Sequence, residues 1–148
     1  MKKDVTEKPF SIRIGKLGDF PLIALEGDVN TADAAQLKNE IIKLFESEET
    51  ILVFDMTQVT FLDSSALAVF IAALKHLRTV DGIMVIAGPT TRILRVFEIT
   101  GLDRIFDIKD TVGEAEEFIA DEKAKAQTEA RAQTNVKART KKTKVKTK

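Results

Sequence analysis

The 148-residue sequence contains no cysteine and no tryptophan, and its only histidine is His76. Without cysteine the protein has no disulfide scaffold, no zinc site built on thiolates and no cysteine nucleophile. One histidine alone cannot form a metal cluster, and His76 is expected to be a partly exposed residue late in a helix. Glycine-rich loops of the kinds that bind dinucleotides or nucleoside triphosphates are also missing. We therefore predict no metal site and no cofactor.

Long hydrophobic runs are missing as well. Residues 1–7 (MKKDVTE) have no apolar core for a signal peptide. The longest apolar run, residues 66–74, is far shorter than the roughly 20 residues of a membrane span. Together with the absence of cysteine, which fits a reducing compartment, this predicts a cytoplasmic protein without membrane insertion.

The net charge of zero hides an uneven distribution of charge along the chain. Residues 1–120 hold 13 Lys or Arg against 20 Asp or Glu, a net charge of −7, whereas residues 121–148 have a net charge of +7. We expect a domain over residues 8–121 and a partly helical to disordered basic tail over residues 122–148. The tail has no aromatic side chain for base stacking, so it does not predict sequence-specific nucleic-acid binding. Two roles of the tail stay open. It could bind nucleic acid, acidic lipid or an acidic protein through loose electrostatic contacts, or it could be an inert solubilising segment.

Hydrophobic periodicity predicts an α/β fold for the acidic domain. The predicted elements are a hairpin over residues 10–14 and 21–26, helices over 31–46, 65–78, 90–100 and from 111, strands over 51–55 and 83–86, and a short edge strand over 105–108. The two continuous apolar runs at 51–54 and 83–86 are typical of parallel strands covered on both faces. The sequence thus predicts a mixed sheet of about four to five strands with about four helices.

Residues 59–70 (VTFLDSSALAVF) place Asp63, Ser64 and Ser65 between apolar runs, at the predicted start of a helix. Asp and Ser are preferred N-cap residues, so plain capping explains one of the three. A helix N-terminus also favours an anion, because its free N–H groups and the positive end of its dipole point outward. A phosphoserine here would add a charge of about −1.5 to −2 beside Asp63 without altering the fold.

Four segments, in this order of elements, resemble the STAS domain family and in particular its stand-alone bacterial anti-sigma-factor antagonists. They are VFDM at 53–56, FLDSSALAVF at 61–70, GIMVIA at 82–87 and RILRVFEITGLDRIF at 92–106. The most specific part is the Asp-Ser-Ser signature that opens a helix, supported by the Phe-x-x-x-Gly-Leu pattern at 97–102. The resemblance covers about residues 10–120 and leaves out the tail.

The resemblance implies a binding protein and not an enzyme. In this family the unphosphorylated antagonist binds an anti-sigma factor that is also an ATP-dependent serine kinase, and a sigma factor is thereby released. The kinase phosphorylates the first Ser after the Asp, and a phosphatase acting on phosphoserine reverses the modification. By position the phosphorylated residue would be Ser64, with Asp63, Ser65, Ala66 and Asn30 completing the partner-binding surface. Ala66 stands where the family has Gly, and Asn30 stands where an Asp is usual.

Two other functions stay open on the sequence alone. The first is a STAS regulatory subunit of a membrane transporter or a larger signalling scaffold, in which Ser64 need not be phosphorylated. The second is a small serine hydrolase that uses Ser64 as its nucleophile. The hydrolase would need a general base, yet the G-x-S-x-G motif is missing and His76 lies about three turns away along the same predicted helix.

Overall fold

The structure, a computed structural model, describes the backbone of residues 8–147 and the side chains of residues 8–129. Its strands are β1 (Ser11–Leu17), β2 (Phe20–Val29), β3 (Ile51–Leu62), β4 (Ile83–Ala87) and β5 (Asp107–Lys109), and its α-helices are α1 (Thr31–Glu46), α2 (Ser64–Thr79), α3 (Thr91–Thr100) and α4 (Val112–Thr147). A 3-10 turn over Leu102–Arg104 precedes β5. Over the described residues there are five strands and four α-helices, which confirms the predicted mixed sheet of about four to five strands with about four helices.

The five strands lie side by side in the order in which they occur in the chain. β1 is antiparallel to β2, and the turn between them brings Leu17 opposite Phe20, which confirms the predicted hairpin. The other neighbouring pairs are all parallel. Because the carboxyl ends of parallel strands lie at one edge of a sheet, the segments that follow β2 and β3 are neighbours in space.

The core lies between the sheet and the apolar faces of the helices, with α1, α2 and α3 all contributing buried side chains. α1 buries Ala34, Leu37 and Ile41, as its 3.6-residue periodicity predicts. α2 is almost uniformly apolar in its first three turns, and its Phe70 ring meets the Phe54 ring of β3 edge to face, with centroids 5.0 Å apart. α1 packs against β2, α2 packs against β3, and the two helices contact each other, which fixes the positions of their N-termini.

β3 is longer than the sequence predicted. It continues past Asp55 to Leu62, although Thr57 and Gln58 are exposed polar residues. The pairing of β2 with β3 shifts register twice, between Ala24 and Glu26 and between Gly27 and Asp28. Such irregularities interrupt the apolar and polar alternation from which strands are predicted, and the second half of β3 was therefore predicted to be a link.

β5 is displaced from its predicted position. The prediction placed it over residues 105–108, whereas the strand is Asp107–Lys109. The chain first forms the 3-10 turn, in which the N–H groups of Ile105 and Phe106 donate to the Leu102 carbonyl at 3.1 and 3.0 Å. Gly101 ends α3 in the left-handed conformation with φ of 76°.

The chain divides into two units, residues 1–115 and residues 116–148, and the first contains the whole sheet. The division falls inside α4, ahead of the boundary predicted between residues 121 and 122. The backbone of α4 is helical to Thr147, and the Ala, Lys, Gln and Glu residues in it all favour helix. The side chains of residues 130–148, which include most of the basic tail, lie outside the described residues. We predict that residues beyond 132 are disordered in the isolated protein.

Across residues 8–147, none of the helices has both the length and the apolar character required to cross a membrane.

Candidate functional site

The starts of α1 and α2 lie next to each other at the carboxyl edge of the sheet. Val29 and Leu62, the last residues of β2 and β3, are register partners. One residue, Asn30 or Asp63, then separates each strand from its helix. The N–H of Asp63 donates to the Val29 carbonyl at 3.2 Å, so the backbones are still joined at the point where the helices begin.

Asp63 uses both of its carboxylate oxygens. Oδ1 accepts from the Ala66 N–H at 3.0 Å, which caps α2 and confirms the capping predicted for this stretch. Oδ2 accepts from the Thr31 hydroxyl at 3.0 Å, which joins α2 to the first residue of α1. Asp63 therefore holds the two helix starts together in addition to capping one of them.

The two serines that follow Asp63 have different surroundings. Ser65 is half-buried, and its Oγ lies 3.3 Å from Thr31 Oγ1. Ser64 is exposed, and its hydroxyl makes no hydrogen bond to any of the described residues. The first serine is thus accessible to another protein, whereas the second is part of the contact between the helices.

Asn30 and Ala66 hold different positions relative to this contact. Asn30 is exposed and is the N-cap of α1, and its own N–H donates to Asp33 Oδ2 at 3.3 Å. Ala66 has 0% exposed surface, and its methyl group packs in the core. Ala66 was predicted to belong to the partner-binding surface, but a side chain without exposed surface cannot contact a partner in this conformation. The methyl group that replaces the family's Gly therefore faces inward and does not narrow the surface around Ser64.

Thr31, the first residue of α1, also belongs to this site. Its hydroxyl contacts both Asp63 and Ser65, which are more than 30 residues away along the chain. A signal was available in the expected parallel order of the strands, because residues that follow adjacent parallel strands meet at one edge of the sheet. Which residue after β2 meets Asp63 depends on the register of β2 against β3. The two register shifts in this pairing make that residue hard to identify from the sequence.

No group placed for general-base catalysis accompanies Ser64 among the described residues. His76 lies twelve positions further along α2, a rise of about 18 Å, and its ring stacks on Phe45 with centroids 4.0 Å apart. Both oxygens of Asp63 are already engaged. Within the part of the chain that the structure describes, no three His, Asp or Glu residues are grouped to hold a metal ion. The arrangement offers an exposed hydroxyl at a helix start for modification, and no described residue is placed to activate it as a nucleophile.

Ser64 lies outside two cavities of the domain. A cavity of about 550 Å³ with a mixed polar and apolar lining is bounded by residues that include Lys8, Phe10 and Glu26. An apolar groove of about 280 Å³ lies between α1 and α2, and Ile42, Phe45 and Val69 are among its lining residues.

Comparison with known proteins gives one family and several relatives. The sequence profile of the STAS domain matches residues 11–115. A Listeria monocytogenes protein named anti-sigma-B factor antagonist is 37% identical over 93 residues, which are 62% of this chain and 81% of the relative.

Solved structures share the fold. An anti-sigma factor antagonist from Mycobacterium paratuberculosis superposes with a TM-score of 0.66 at 25% identity, over 76% of this chain and 95% of that one. The anti-sigma factor antagonist SpoIIAA, in its unphosphorylated form, superposes with a TM-score of 0.66 at 19% identity, over 74% and 96% of the two chains. A structure of the Bacillus SpoIIAA in its phosphorylated form gives a TM-score of 0.61 at 20% identity, over 74% and 99%.

Proposed function

The chain belongs to the STAS domain family, and from that premise we propose that it is an anti-sigma-factor antagonist switched by phosphorylation of Ser64. In the unphosphorylated state it binds an anti-sigma-factor serine kinase, and a sigma factor is released. Transfer of phosphate to Ser64 ends this interaction, and a phosphatase acting on phosphoserine restores it.

The observation that supports this proposal is the environment of Ser64. Its hydroxyl is exposed and has no hydrogen-bond partner among the described residues. The residue before it, Asp63, caps the helix, and both of its carboxylate oxygens already accept hydrogen bonds. A kinase can therefore approach this hydroxyl without unfolding the helix. The free N–H groups and the dipole at the start of α2 favour the negative charge that the reaction leaves behind.

The same geometry explains how one phosphate would control binding. A phosphoserine carries about −1.5 to −2 charges and is strongly hydrated. Placed on an exposed rim, it leaves the buried side of α2 unchanged, so the fold of the antagonist is retained. A partner docked on that rim would have to desolvate the new charge and would meet it beside the carboxylate of Asp63, which weakens the complex.

The names of the relatives support the same function. The Listeria protein is called an anti-sigma-B factor antagonist. SpoIIAA has been described in an unphosphorylated and a phosphorylated form, so at least one antagonist with this fold carries the modification.

The decisive experiment combines phosphosite mapping with partner capture in the native host. Phosphopeptide mapping of the protein purified from its own cells should show one dominant phosphate, on Ser64. Wild-type bait should capture a protein with a serine-kinase domain that phosphorylates Ser64 in the presence of ATP, and Ser64→Asp bait should not. A phosphate found on Ser65 or on tail threonines, with Ser64 unmodified, would refute the assignment.

The same baits and one chemical probe distinguish this function from the two alternatives, a STAS regulatory subunit of a transporter or scaffold and a small serine hydrolase. Capture of a transporter or scaffold protein equally by both baits would identify a STAS regulatory subunit without a Ser64 switch. Labelling of Ser64 by a reactive fluorophosphonate would identify a serine hydrolase, because only an activated serine reacts with it. We expect no label.

A further inference from the structure

We propose that Thr31 determines which of two adjacent hydroxyls is phosphorylated, by holding Ser65 and leaving Ser64 free. This inference rests on the proposed function, because it concerns the choice of acceptor within that switch. The two serines are neighbours in sequence and lie in the same first turn of α2. Their difference in availability comes from a residue of another helix.

The donors and acceptors at this contact can be assigned. A hydroxyl has one proton to donate, and an ionised carboxylate can only accept. The 3.0 Å contact with Asp63 Oδ2 therefore uses the proton of Thr31. The 3.3 Å contact between Thr31 and Ser65 can then form only if Ser65 donates its own proton to the Thr31 oxygen. The hydroxyls form a chain from Ser65 through Thr31 to Asp63.

A serine that donates in this chain is a poor phosphate acceptor. In the transfer, the serine oxygen bonds to the γ-phosphorus of ATP, the bond from that phosphorus to the bridging oxygen breaks, ADP leaves, and the hydroxyl proton passes to a base of the kinase. The acceptor oxygen must also turn toward the nucleotide in line with the leaving group. Ser65 is half-buried and directed toward Thr31, so it meets neither requirement unless this contact breaks.

Ser64 meets both requirements as it stands. It is exposed, and among the described residues nothing holds its hydroxyl. Thr31 is the first residue of α1, and the packing of that helix fixes its backbone at the distance at which its hydroxyl reaches both Asp63 and Ser65. Thr31 acts here as a positioning residue, because it works through Ser65 and does not touch the transferred phosphate.

Three variants distinguish the effect of the Thr31 hydroxyl group from the effect of the shape of its side chain. Thr31→Val keeps the branched side chain and removes the hydroxyl, Thr31→Ala provides a second variant without the hydroxyl, and Thr31→Ser keeps the hydroxyl. Each is combined with Ser64→Ala, so that any phosphate on the signature must be on Ser65. Thr60→Val is the matched control, because it removes another hydroxyl that donates to a carboxylate, that of Asp28, between β3 and β2.

The experiment replaces the chromosomal gene in the native host and measures the site occupancy by phosphopeptide mapping, with a melting curve for each purified variant. We expect phosphate on Ser64 alone in the wild type. Relative to Ser64→Ala alone, the phosphate occupancy of Ser65 should rise about tenfold or more in both Thr31→Val/Ser64→Ala and Thr31→Ala/Ser64→Ala. Thr31→Ser/Ser64→Ala and Thr60→Val/Ser64→Ala should remain at the Ser64→Ala level.

Two results would overturn the inference in distinguishable ways. In the first, Ser64 is phosphorylated in the wild type, but Ser65 carries no more phosphate in Thr31→Val/Ser64→Ala and Thr31→Ala/Ser64→Ala than in Ser64→Ala alone. This result would rule out the role of Thr31 and leave the proposed switch intact. A wild-type protein without phosphate on Ser64 would remove the switch and this inference together.

Discussion

Asp63 accepts a hydrogen bond from the backbone N–H of Ala66 at 3.0 Å, so the side chain that precedes Ser64 caps the helix on which Ser64 lies. The carboxylate thus contributes to the stability of the domain independently of any partner. Its contribution can be measured on the purified protein.

Asp63→Ala should lower the free energy of unfolding by about 1 kcal/mol, because it removes the cap of α2. Loss of the Thr31 contact adds to this effect. Asp63→Asn should cost less, since its amide oxygen can still accept from Ala66. Urea denaturation at unchanged m-value measures both variants. Equal losses for Ala and Asn would show that the negative charge, and not the hydrogen bond, stabilises the helix start.

Ser64→Asp should leave the melting temperature unchanged and weaken binding to the kinase partner tenfold or more, about 1.4 kcal/mol. The helix N-terminus accommodates the carboxylate, whereas the partner must desolvate it. Ser64→Ala should bind like the unphosphorylated protein and no longer respond to ATP. Calorimetric titration with the captured kinase gives the dissociation constants. A fall in melting temperature large enough to account for the lost binding would contradict the prediction.

Gly27→Ala should destabilise the domain strongly. Gly27 has a φ of 84°, and a Cβ there would lie 2.1 Å from the Pro9 carbonyl oxygen. Strain at a left-handed position costs about 1 to 3 kcal/mol, and the contact with a backbone atom adds to it. Gly15→Ala is the matched control, because a Cβ added to this exposed residue of β1 would have no described neighbouring atom within 4 Å. Chemical denaturation should separate the two variants, with Gly15→Ala within about 0.5 kcal/mol of wild type.

Truncation after Ala132 should leave the melting temperature and partner binding nearly unchanged at about 0.15 M salt, where the Debye length is about 8 Å. The apolar residues among 133–148 are only Val136, Ala138 and Val145, against seven mutually repelling cations. Ordering costs roughly 1 to 2 kcal/mol per residue, so we predict that this end of α4 unfolds in the isolated protein. Amide hydrogen exchange tests the unfolding directly. Loss of partner binding on truncation would place the tail in the recognition surface.

Composition and periodicity predicted the order of elements well, because each helix carries its own local signals. Asn30 and Asp63 are preferred caps, and the apolar runs of β3 and β4 are typical of central parallel strands. These signals depend on residues close together in the chain. They therefore survive without knowledge of the tertiary structure.

The parts that were missed depend on pairing between distant segments. The extension of β3 to Leu62 requires the two register shifts against β2, and the position of β5 requires the 3-10 turn before it. Likewise the sequence identified Asp63 and the serines after it from local identity but could not show that Thr31 reaches Asp63 and Ser65. A contact across two helix starts is set by strand register to within one residue, and periodicity does not determine register at that precision.

The strands lie in the sheet in the same order as they occur in the chain, and this has a consequence for folding during synthesis on the ribosome. Each strand from β2 to β5 pairs with the strand made just before it, so no segment has to wait for a later one to complete its hydrogen bonds on that side. Translation adds roughly 5 to 20 residues per second, far more slowly than hairpins and helices form. The sheet can therefore grow from one edge to the other as the chain emerges, and the helix start that carries Ser64 can be assembled before β4 has been made.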